Sequence, residues 1–561
     1  MRPMKAAGAL AITAALLVTG CAATGSSNTS SSNTSSSSGS GTATGGTLTI
    51  LTPATQIDLD PAKSQNLAIT TLGLVLRRLT TWDISPDKPG KVVPDLATTT
   101  GTPSDGGKTW TYTLKNGLKY ADGSPMTTQD IKYGVERSFA DQLSGGLSYH
   151  KSLLVGGADY HGPYSGSQLS SIDTPTDKTI VFHLNAAYGD WPWIVSMPAF
   201  APVPKAKDNP ATYGQDPEAS GPYQVASNQQ GTALTLKRNP YWSSKTDSVR
   251  TAGPNEIEFK ESQDASTTTQ SLIADVGSAQ DSFSAQYLGA AQLAQVLQNP
   301  EAKSRLATSQ AGPITFLAMN TQKGALKDLT VRQAIEYAVD KKAYLIASGG
   351  TAAGTAATTL ITPGIAGRKD YNLYPSGPDG DVSKAKSLLS QADQSSGLNL
   401  TLLTQNDSAS LAQAQALQQG IERAGITVTL KPEDQTSFYS DATATDANYD
   451  LVLYGWQPDF PSANSNIQPL FASSQIGGGG NNVARYSNPA VDTLIDQATQ
   501  QVDPVKAQAL WAQADKRIMQ DAPVVPLAYA KQSFLRGSNV QNFFIAPFPA
   551  YPNYLKASLG K

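Results

Sequence analysis

Cysteine occurs once among the 561 residues of this chain, at Cys21, and histidine occurs three times, at His150, His161 and His183. A single cysteine excludes a disulfide within the chain and any metal site built from several thiolates. Charged residues make up only 16% of the chain, the formal net charge is −3, and neither sign forms a long run. The basic surface typical of nucleic-acid binding is therefore missing. The sequence predicts no cofactor, no metal site and no nucleic-acid partner.

The N-terminal segment has the layout of a lipoprotein signal. A basic start, MRPMK, is followed by an apolar stretch over residues 6–17 that is too short to span a bilayer comfortably. Residues 18–21 (VTGC) then have the small-residue cleavage pattern, and the chain resembles bacterial lipobox proteins in this respect. The resemblance implies a signal peptide over residues 1–20 and diacylglycerol on the thiol of Cys21. We expect the mature chain to be anchored on the extracytoplasmic face of the cell membrane.

The segment after Cys21 is nearly all serine, threonine, asparagine and glycine. Such a composition cannot bury enough apolar surface to offset the loss of conformational entropy, which predicts a disordered tether over residues 21–45. About 515 residues remain beyond the tether. This is more than one hydrophobic core usually organises, so at least two lobes are expected.

Strand and helix signals interleave along the body, which predicts an α/β fold with a largely parallel or mixed sheet. Residues 110–114 alternate with a period of two, as in a strand. A helix is predicted to begin near Thr127, because Thr127 and Asp130 have capping-box spacing and Ile131 and Val135 share a face. Further strands are predicted at residues 48–51, 179–184, 233–237, 256–260, 314–319, 426–430 and 449–455, and a helix at 411–424.

Eight short segments follow one another over nearly the whole mature chain. They are residues 57–61 (IDLDP), 111–139 (TYTLKNGLKYADGSPMTTQDIKYGVERSF), 220–223 (SGPY), 237–242 (KRNPYW), 331–340 (VRQAIEYAVD), 454–459 (YGWQPD), 482–494 and 521–527 (DAPVVPL). In this order they resemble the landmarks of the bacterial extracellular solute-binding proteins of family 5, the substrate-binding lipoproteins of peptide ABC transporters. The strongest match, residues 111–139, contains turn dipeptides between a strand and a helix and is interpreted as scaffold rather than ligand contact.

The resemblance implies a two-lobed periplasmic-binding-protein-like fold, of class II and cluster C type, with an extra inserted domain. The expected parts are lobe I from residues 46–80, 206–310 and 525–561, an inserted domain from 81–205, and lobe II from 311–524. In such proteins the ligand lies extended in a cleft between the lobes, with its main chain paired to main-chain groups of the protein, and the lobes close over it by a hinge.

A candidate binding loop follows the apolar strand predicted at residues 450–454. The strand ends in Gly455, Trp456 and, after a proline, Asp459, which places an indole and a carboxylate at a strand terminus, where α/β proteins bind ligands. By resemblance, Asp459 is expected to form a salt bridge with the α-amino group of a peptide. Trp456 is expected to form a wall of that pocket, and Gly455 and Tyr454 to contribute to it. Alternatively, Asp459 caps a helix and Trp456 fills the core.

Many relatives carry a second acidic residue soon after this loop, whereas here residues 460–464 read FPSAN. The ligand class therefore stays open. The resemblance implies capture of di- or oligopeptides by a monomer and delivery to an ABC permease in the membrane. The alternatives are an oligosaccharide or a nickel complex as ligand, or a surface receptor for a signalling peptide.

Enzymatic motifs are incomplete in this chain. Ser-x-x-Lys occurs at residues 85–88, 148–151 and 383–386, but no Lys-Thr-Gly accompanies it. No Gly-x-Ser-x-Gly nucleophile elbow is present either. The sequence thus predicts no catalytic residues, and a cell-wall enzyme is disfavoured.

Overall fold

The computed structural model describes residues 45–560. The predicted signal peptide, Cys21 and all but the last residue of the predicted tether lie outside the described residues. Within them, helices and strands alternate, which confirms the mixed α/β class. The α-helices are Thr71–Val75, Thr128–Arg137, Tyr149–Leu153, Trp191–Ile194, Ala265–Ala274, Ala290–Gln298, Pro300–Ser304, Leu329–Ala338, Lys341–Ala347, Val382–Gln391, Ser408–Glu422, Gln435–Ala442, Asn464–Phe471, Pro489–Gln500 and Pro504–Asp521.

A five-stranded mixed sheet forms the centre of one part of the fold. Its strand Thr47–Leu51 pairs in parallel with a neighbour on each side, and Leu48 and Ile50 are fully buried in its core. The remaining pairs are antiparallel. In spatial order the strands are Ser282–Ser284, Thr47–Leu51, Glu256–Lys260, Ala233–Arg238 and Tyr223–Gln229.

A six-stranded sheet forms the centre of the second part. In spatial order its strands are Gly354–Ala356, Val524–Ala530, Ile314–Met319, Leu451–Trp456, Leu398–Gln405 and Ile426–Glu433. Strand Leu451–Trp456 is antiparallel to Ile314–Met319 along its whole length. On its other side it pairs with Leu398–Gln405 only through Leu451 and Val452. The end of this strand, residues 453–456, therefore has a sheet neighbour on one side alone.

The two faces of the six-stranded sheet have different cores, because successive side chains of a strand point to opposite faces. Leu317 and Leu453 belong to a cluster with the helices Leu329–Ala338 and Ser408–Glu422. Tyr454, on the opposite face, belongs to the large cluster that extends into the rest of the molecule. Tyr454 and Trp456 thus lie on the face turned away from those two helices.

A third, antiparallel sheet has the strand order Thr102–Ser104, Thr109–Thr113, Thr179–His183 and Ile172–Thr176. The helix Thr128–Arg137 comes after the strand Thr109–Thr113 in the chain, and the predicted capping box is present, with the Thr127 N–H donating to Asp130 Oδ2 at 2.8 Å. Residues 111–139 thus form strand, turn and helix. Three two-stranded sheets pair Thr80–Ser85 with Lys88–Pro94, Leu306–Thr308 with Ser533–Leu535, and Val540–Gln541 with Ser558–Leu559.

Two crossing segments, residues 309–313 and 531–532, connect the six-stranded sheet to the pair Leu306–Thr308 and Ser533–Leu535. They are hydrogen bonded to each other, since the Ser309 N–H donates to the Gln532 carbonyl at 2.9 Å. The strand Val524–Ala530 belongs to the six-stranded sheet, although the expected boundary at 525 places it in lobe I. The division into lobes stays a prediction, and we propose residue 531 rather than 525 as its last boundary.

A buried cluster of five charged side chains joins distant parts of the chain. Asp95 accepts from Arg77 Nε at 2.7 Å and from two nitrogens of Arg250 at 3.0 and 2.9 Å. Asp247 accepts from Arg250 as well, at 3.0 Å. Arg78 is also fully buried, but its guanidinium has no hydrogen-bond partner among residues 45–560. Burial and the nearby Arg250 lower the pKa of Arg78 to about 9.

Candidate functional site

A cavity of about 470 Å³, here called the cleft cavity, contains the predicted binding loop. Its walls come from three parts of the chain that are far apart in sequence, which is typical of a cleft between folded parts. Its lining includes Gln65, Tyr149, Ser152, Tyr188, Trp456, Asp459, Gln468 and Asn481.

Asp459 is half-buried in this cavity, at the end of the strand Leu451–Trp456. The hydroxyl of Tyr149 donates to Asp459 Oδ2 at 2.5 Å. Burial raises the pKa of Asp459, and the hydrogen bond from Tyr149 opposes part of that effect. The same burial, together with the charge of Asp459, raises the pKa of Tyr149. Asp459 is therefore a partly desolvated carboxylate whose close partner is a neutral hydroxyl.

No lysine, arginine or histidine lines the cleft cavity within residues 45–560. A desolvated carboxylate is stabilised by a cation placed beside it, through Coulomb attraction and charge-assisted hydrogen bonds. Since the described part of the protein supplies no such cation here, the chemistry of the site favours a ligand that brings its own positive charge.

Trp456 forms another wall of the cavity and is held in place by its indole N–H, which donates to the Ser465 carbonyl at 2.7 Å. Tyr454 is buried instead. Its ring stacks on Phe438, and its hydroxyl donates to Asn481, whose side chain borders the cavity. Tyr454 therefore packs behind residues that line the cavity and does not line it itself.

Gly455 does not line the cleft cavity, but it is exposed at the unpaired edge of its strand. The Asn320 N–H donates to the Asp450 carbonyl at 2.8 Å, so the carbonyl of Asp450 points to the side of the strand Ile314–Met319. In an antiparallel pair, residues alternate between bonding to the partner and pointing away from it. The main-chain groups of Gly455 consequently point toward the edge that has no neighbour.

The residues after the loop are tied to the part of the chain that carries the antiparallel sheet. The Ser462 hydroxyl donates to Asp190 at 2.8 Å, and the Asn464 amide donates to the Tyr188 hydroxyl at 3.0 Å. Burial raises the pKa of Asp190 to about 6. Although residues 460–464 contain no acid of their own, Asp190 thus brings a carboxylate to this position from elsewhere in the chain.

A second cavity of about 400 Å³, here called the side cavity, adjoins the cleft cavity at Gln65, which lines both. Most of its wall comes from residues 52–71, which follow the strand Thr47–Leu51, and the rest includes residues of the C-terminal region. The lining includes Thr52, Gln56, Asp58, Asn66 and Tyr551. The two cavities, here together called the extended space, share Gln65 in their linings.

The structure brings Asp459 and Trp456 together in the cleft cavity and places Tyr454 and Gly455 beside it. Their roles in binding stay predictions. Sequence reasoning did not find Tyr149, which lies 310 residues from its partner Asp459. Nor did it find Tyr188 or Gln65. No local pattern marks these residues, because they meet the loop only through tertiary folding.

Residues 45–560 contain no helix with both the length and the apolar character needed to cross a bilayer.

The chain is similar to proteins that are named as binding proteins. The chain is similar to the glutathione-binding protein GsiB of Salmonella paratyphi A (strain ATCC 9150 / SARB42), with 26% identity over 458 residues, 80% of this chain and 82% of that protein. It is also similar to the solved structure of clavulanic acid biosynthesis oligopeptide binding protein 2, with 32% identity, a TM-score of 0.83, and coverage of 92% of this chain and 96% of that one.

The fold is shared more widely. The unliganded open form of MppA, a periplasmic murein tripeptide binding protein, superimposes with a TM-score of 0.77 at 20% identity, covering 93% of this chain and 99% of that one. The family model described as bacterial extracellular solute-binding proteins, family 5 middle, matches residues 91–478, more than half of the chain. The chain belongs to family 5 of the bacterial extracellular solute-binding proteins.

Proposed function

We propose that this protein captures a peptide in the cleft cavity and delivers it to the membrane permease of an ABC importer. Family 5 proteins are the solute-binding components of such importers. Among the relatives, GsiB is named as a glutathione-binding protein and the 32% identical structure as an oligopeptide binding protein. These names support a peptide as ligand over an oligosaccharide or a nickel complex. We infer binding without catalysis, since the relatives are solute-binding proteins.

The observation that carries the proposal is the environment of Asp459. The carboxylate is half-buried, its partner is the neutral hydroxyl of Tyr149, and the lining of the cleft cavity contains no cation. The α-ammonium of a peptide supplies the missing charge and up to three hydrogen-bond donors. Trp456 then packs against the first residue of the ligand.

The free edge of the strand Leu451–Trp456 supports an extended ligand. Gly455 directs its main-chain groups toward an edge that no strand of residues 45–560 occupies. A peptide that adds a strand here gains main-chain hydrogen bonds that do not depend on its sequence. This arrangement suits a carrier for peptides of many sequences.

Gly455 gives a direct test of this main-chain pairing. A Cβ added at Gly455 would meet its nearest atom, Thr315 Cγ2, at 3.8 Å, so the fold accepts alanine. We expect Gly455→Ala to bind peptides within about threefold of the unchanged protein. Gly455→Pro removes the N–H and puts a ring at the edge, and the loss of one hydrogen bond or more should weaken binding by at least about tenfold. Calorimetry with one peptide, and melting temperatures as a folding control, measure both.

The proposed main-chain pairing requires that Gly455→Pro bind the peptide more weakly than Gly455→Ala does. If Gly455→Pro folds and binds as tightly as Gly455→Ala, the peptide main chain does not pair with this edge.

Three further parts of the proposal concern how the protein works in the cell. We infer that Cys21 carries the lipid anchor, that the mature protein acts as a monomer outside the membrane, and that the parts joined by residues 309–313 and 531–532 move as lobes about these crossing segments. Closure of the lobes around the ligand then creates the form that the permease recognises. A receptor that passes a peptide to a sensor would share the same site and differ in its membrane partner.

Native mass spectrometry of the full chain tests the proposed function. The chain is purified from a bacterial host in mild detergent, and any ligand that accompanies it is released by denaturation and identified. We expect peptides of a narrow length range, which are absent when Asp459→Asn is purified in the same way. A sugar or a metal complex in their place, or an empty cleft that also ignores a peptide library in calorimetry, would keep the family and refute the peptide assignment.

A further inference from the structure

The charge of the extended space is strongly one-sided. Asp459 lines the cleft cavity and Asp58 lines the side cavity, and among residues 45–560 these are the only acidic residues in the two linings. No lysine, arginine or histidine among residues 45–560 lines either cavity. The other polar groups in both walls are neutral, including those of Gln65, Asn66 and Tyr149. A ligand that fills both cavities thus meets two carboxylates and no fixed cation.

Asp58 is incompletely neutralised by the protein. Its Oδ1 accepts from the Asp60 N–H at 2.8 Å, which leaves Oδ2 with Lys63 Nζ at 3.9 Å. The side chains of Lys63 and Asp58 are 32% and 43% exposed. Ion pairs this long and this exposed contribute little, since water screens them. Asp58 can therefore exchange the contact with Lys63 for a cation of the ligand.

The C-terminal carboxylate of a bound peptide, unlike its ammonium group, meets no oppositely charged side chain of residues 45–560 in the two linings. A peptide in which Asp459 holds the ammonium must place its C-terminal carboxylate somewhere along the walls or at their mouth. Within the two cavities that carboxylate would lose water without gaining a cation, which is unfavourable. A ligand carboxylate is consequently tolerated only where it reaches solvent. An acidic side chain of the ligand inside the two cavities is unfavourable for the same reason.

On this basis, and resting on the proposed function, we propose that the cleft selects cationic peptides, with Asp459 binding the α-ammonium and Asp58 binding a basic side chain. Asp58 is then the residue that sets specificity, whereas Asp459 sets affinity for every peptide. Elevated salt should reduce the preference, because part of the attraction at Asp58 acts through water.

Three tetrapeptides that differ only in their middle residues test the proposal: AKKA, AQQA and AEEA, each titrated into the full chain by calorimetry. We expect AKKA to bind at least tenfold more tightly than AQQA, and AEEA at least tenfold more weakly. AQQA with a C-terminal amide should bind more tightly than its free acid, a comparison that needs no change in the protein.

Protein variants assign the preference to a residue. Asp58→Asn keeps an acceptor for the Asp60 N–H and should remove most of the advantage of AKKA while leaving AQQA unchanged. Lys63→Gln, the matched control, should increase the advantage. Equal affinities for all three peptides, or tighter binding of AEEA, would overturn the charge selection and leave peptide capture intact. Absence of binding by every peptide at millimolar concentration would overturn the proposed function and this inference together.

Discussion

Asp459→Asn is expected to weaken peptide binding by about 100- to 4,000-fold. Removing one partner of a desolvated ion pair costs about 3–5 kcal/mol, and each tenfold in affinity corresponds to about 1.4 kcal/mol. The asparagine still accepts from Tyr149, so the wall of the cleft cavity should keep its shape. Calorimetry with AQQA measures the loss. Asp83→Asn, which removes an exposed carboxylate from the strand Thr80–Ser85, is the control with the same change of charge.

The same peptide with an acetylated N-terminus completes a double-mutant cycle. Acetylation should weaken binding to the unchanged protein about as much as Asp459→Asn does. It should have little further effect on Asp459→Asn, because the ammonium has already lost its partner. If the two changes add independently, or if Asp459→Asn binds within threefold of the unchanged protein, the ammonium does not lie at Asp459.

Asp95→Asn is expected to lower the free energy of unfolding by about 3–5 kcal/mol, the usual cost of leaving a buried charge without its partner. Asp95 has no exposed side-chain surface and bridges Arg77 and Arg250. Without its charge, the three buried guanidinium groups of Arg77, Arg78 and Arg250 keep Asp247 as the only counter-ion that the described residues place in this cluster. Urea unfolding followed by fluorescence measures the change, again with Asp83→Asn as control.

A second variant separates the charge effect from a packing effect. Arg250→Met introduced into Asp95→Asn removes an uncompensated cation, so the double variant should be more stable than the sum of the two single changes predicts. A loss below about 1 kcal/mol for Asp95→Asn alone would contradict the view that Asp95 balances this cluster.

Local patterns in the sequence were sufficient for many elements of the fold. The capping box at Thr127 and Asp130, the period of two at residues 110–114, and the apolar strand before Gly455 each depend on neighbours a few residues away. The candidate binding loop was proposed through its resemblance to family 5. These features are encoded within short segments, and short segments can be interpreted without the tertiary structure.

Features that depend on long-range contacts were not predicted. Tyr149 lies in a helix of five residues, Tyr149–Leu153, whose sequence gives no sign that it faces residue 459. The hydrogen bond between Ser462 and Asp190 was not predicted from the sequence either. Arg78 and Asp95 resemble ordinary surface charges in the sequence and are fully buried in the structure. The pairing of the strand Val524–Ala530 with Ile314–Met319 was not foreseen either, since strand pairing is decided by tertiary contacts.

The distance of 310 residues between Tyr149 and Asp459 also bears on how the chain matures. Contacts between residues so far apart form late, because a long loop must close before they are made. A chain emerging from the export machinery with its N-terminus first has Gln65 and Tyr149 outside long before Asp459 follows. At the proposed site, the capacity to bind ligand is therefore one of the last properties that the chain acquires, and a ligand bound there selectively stabilises molecules that have completed their folding.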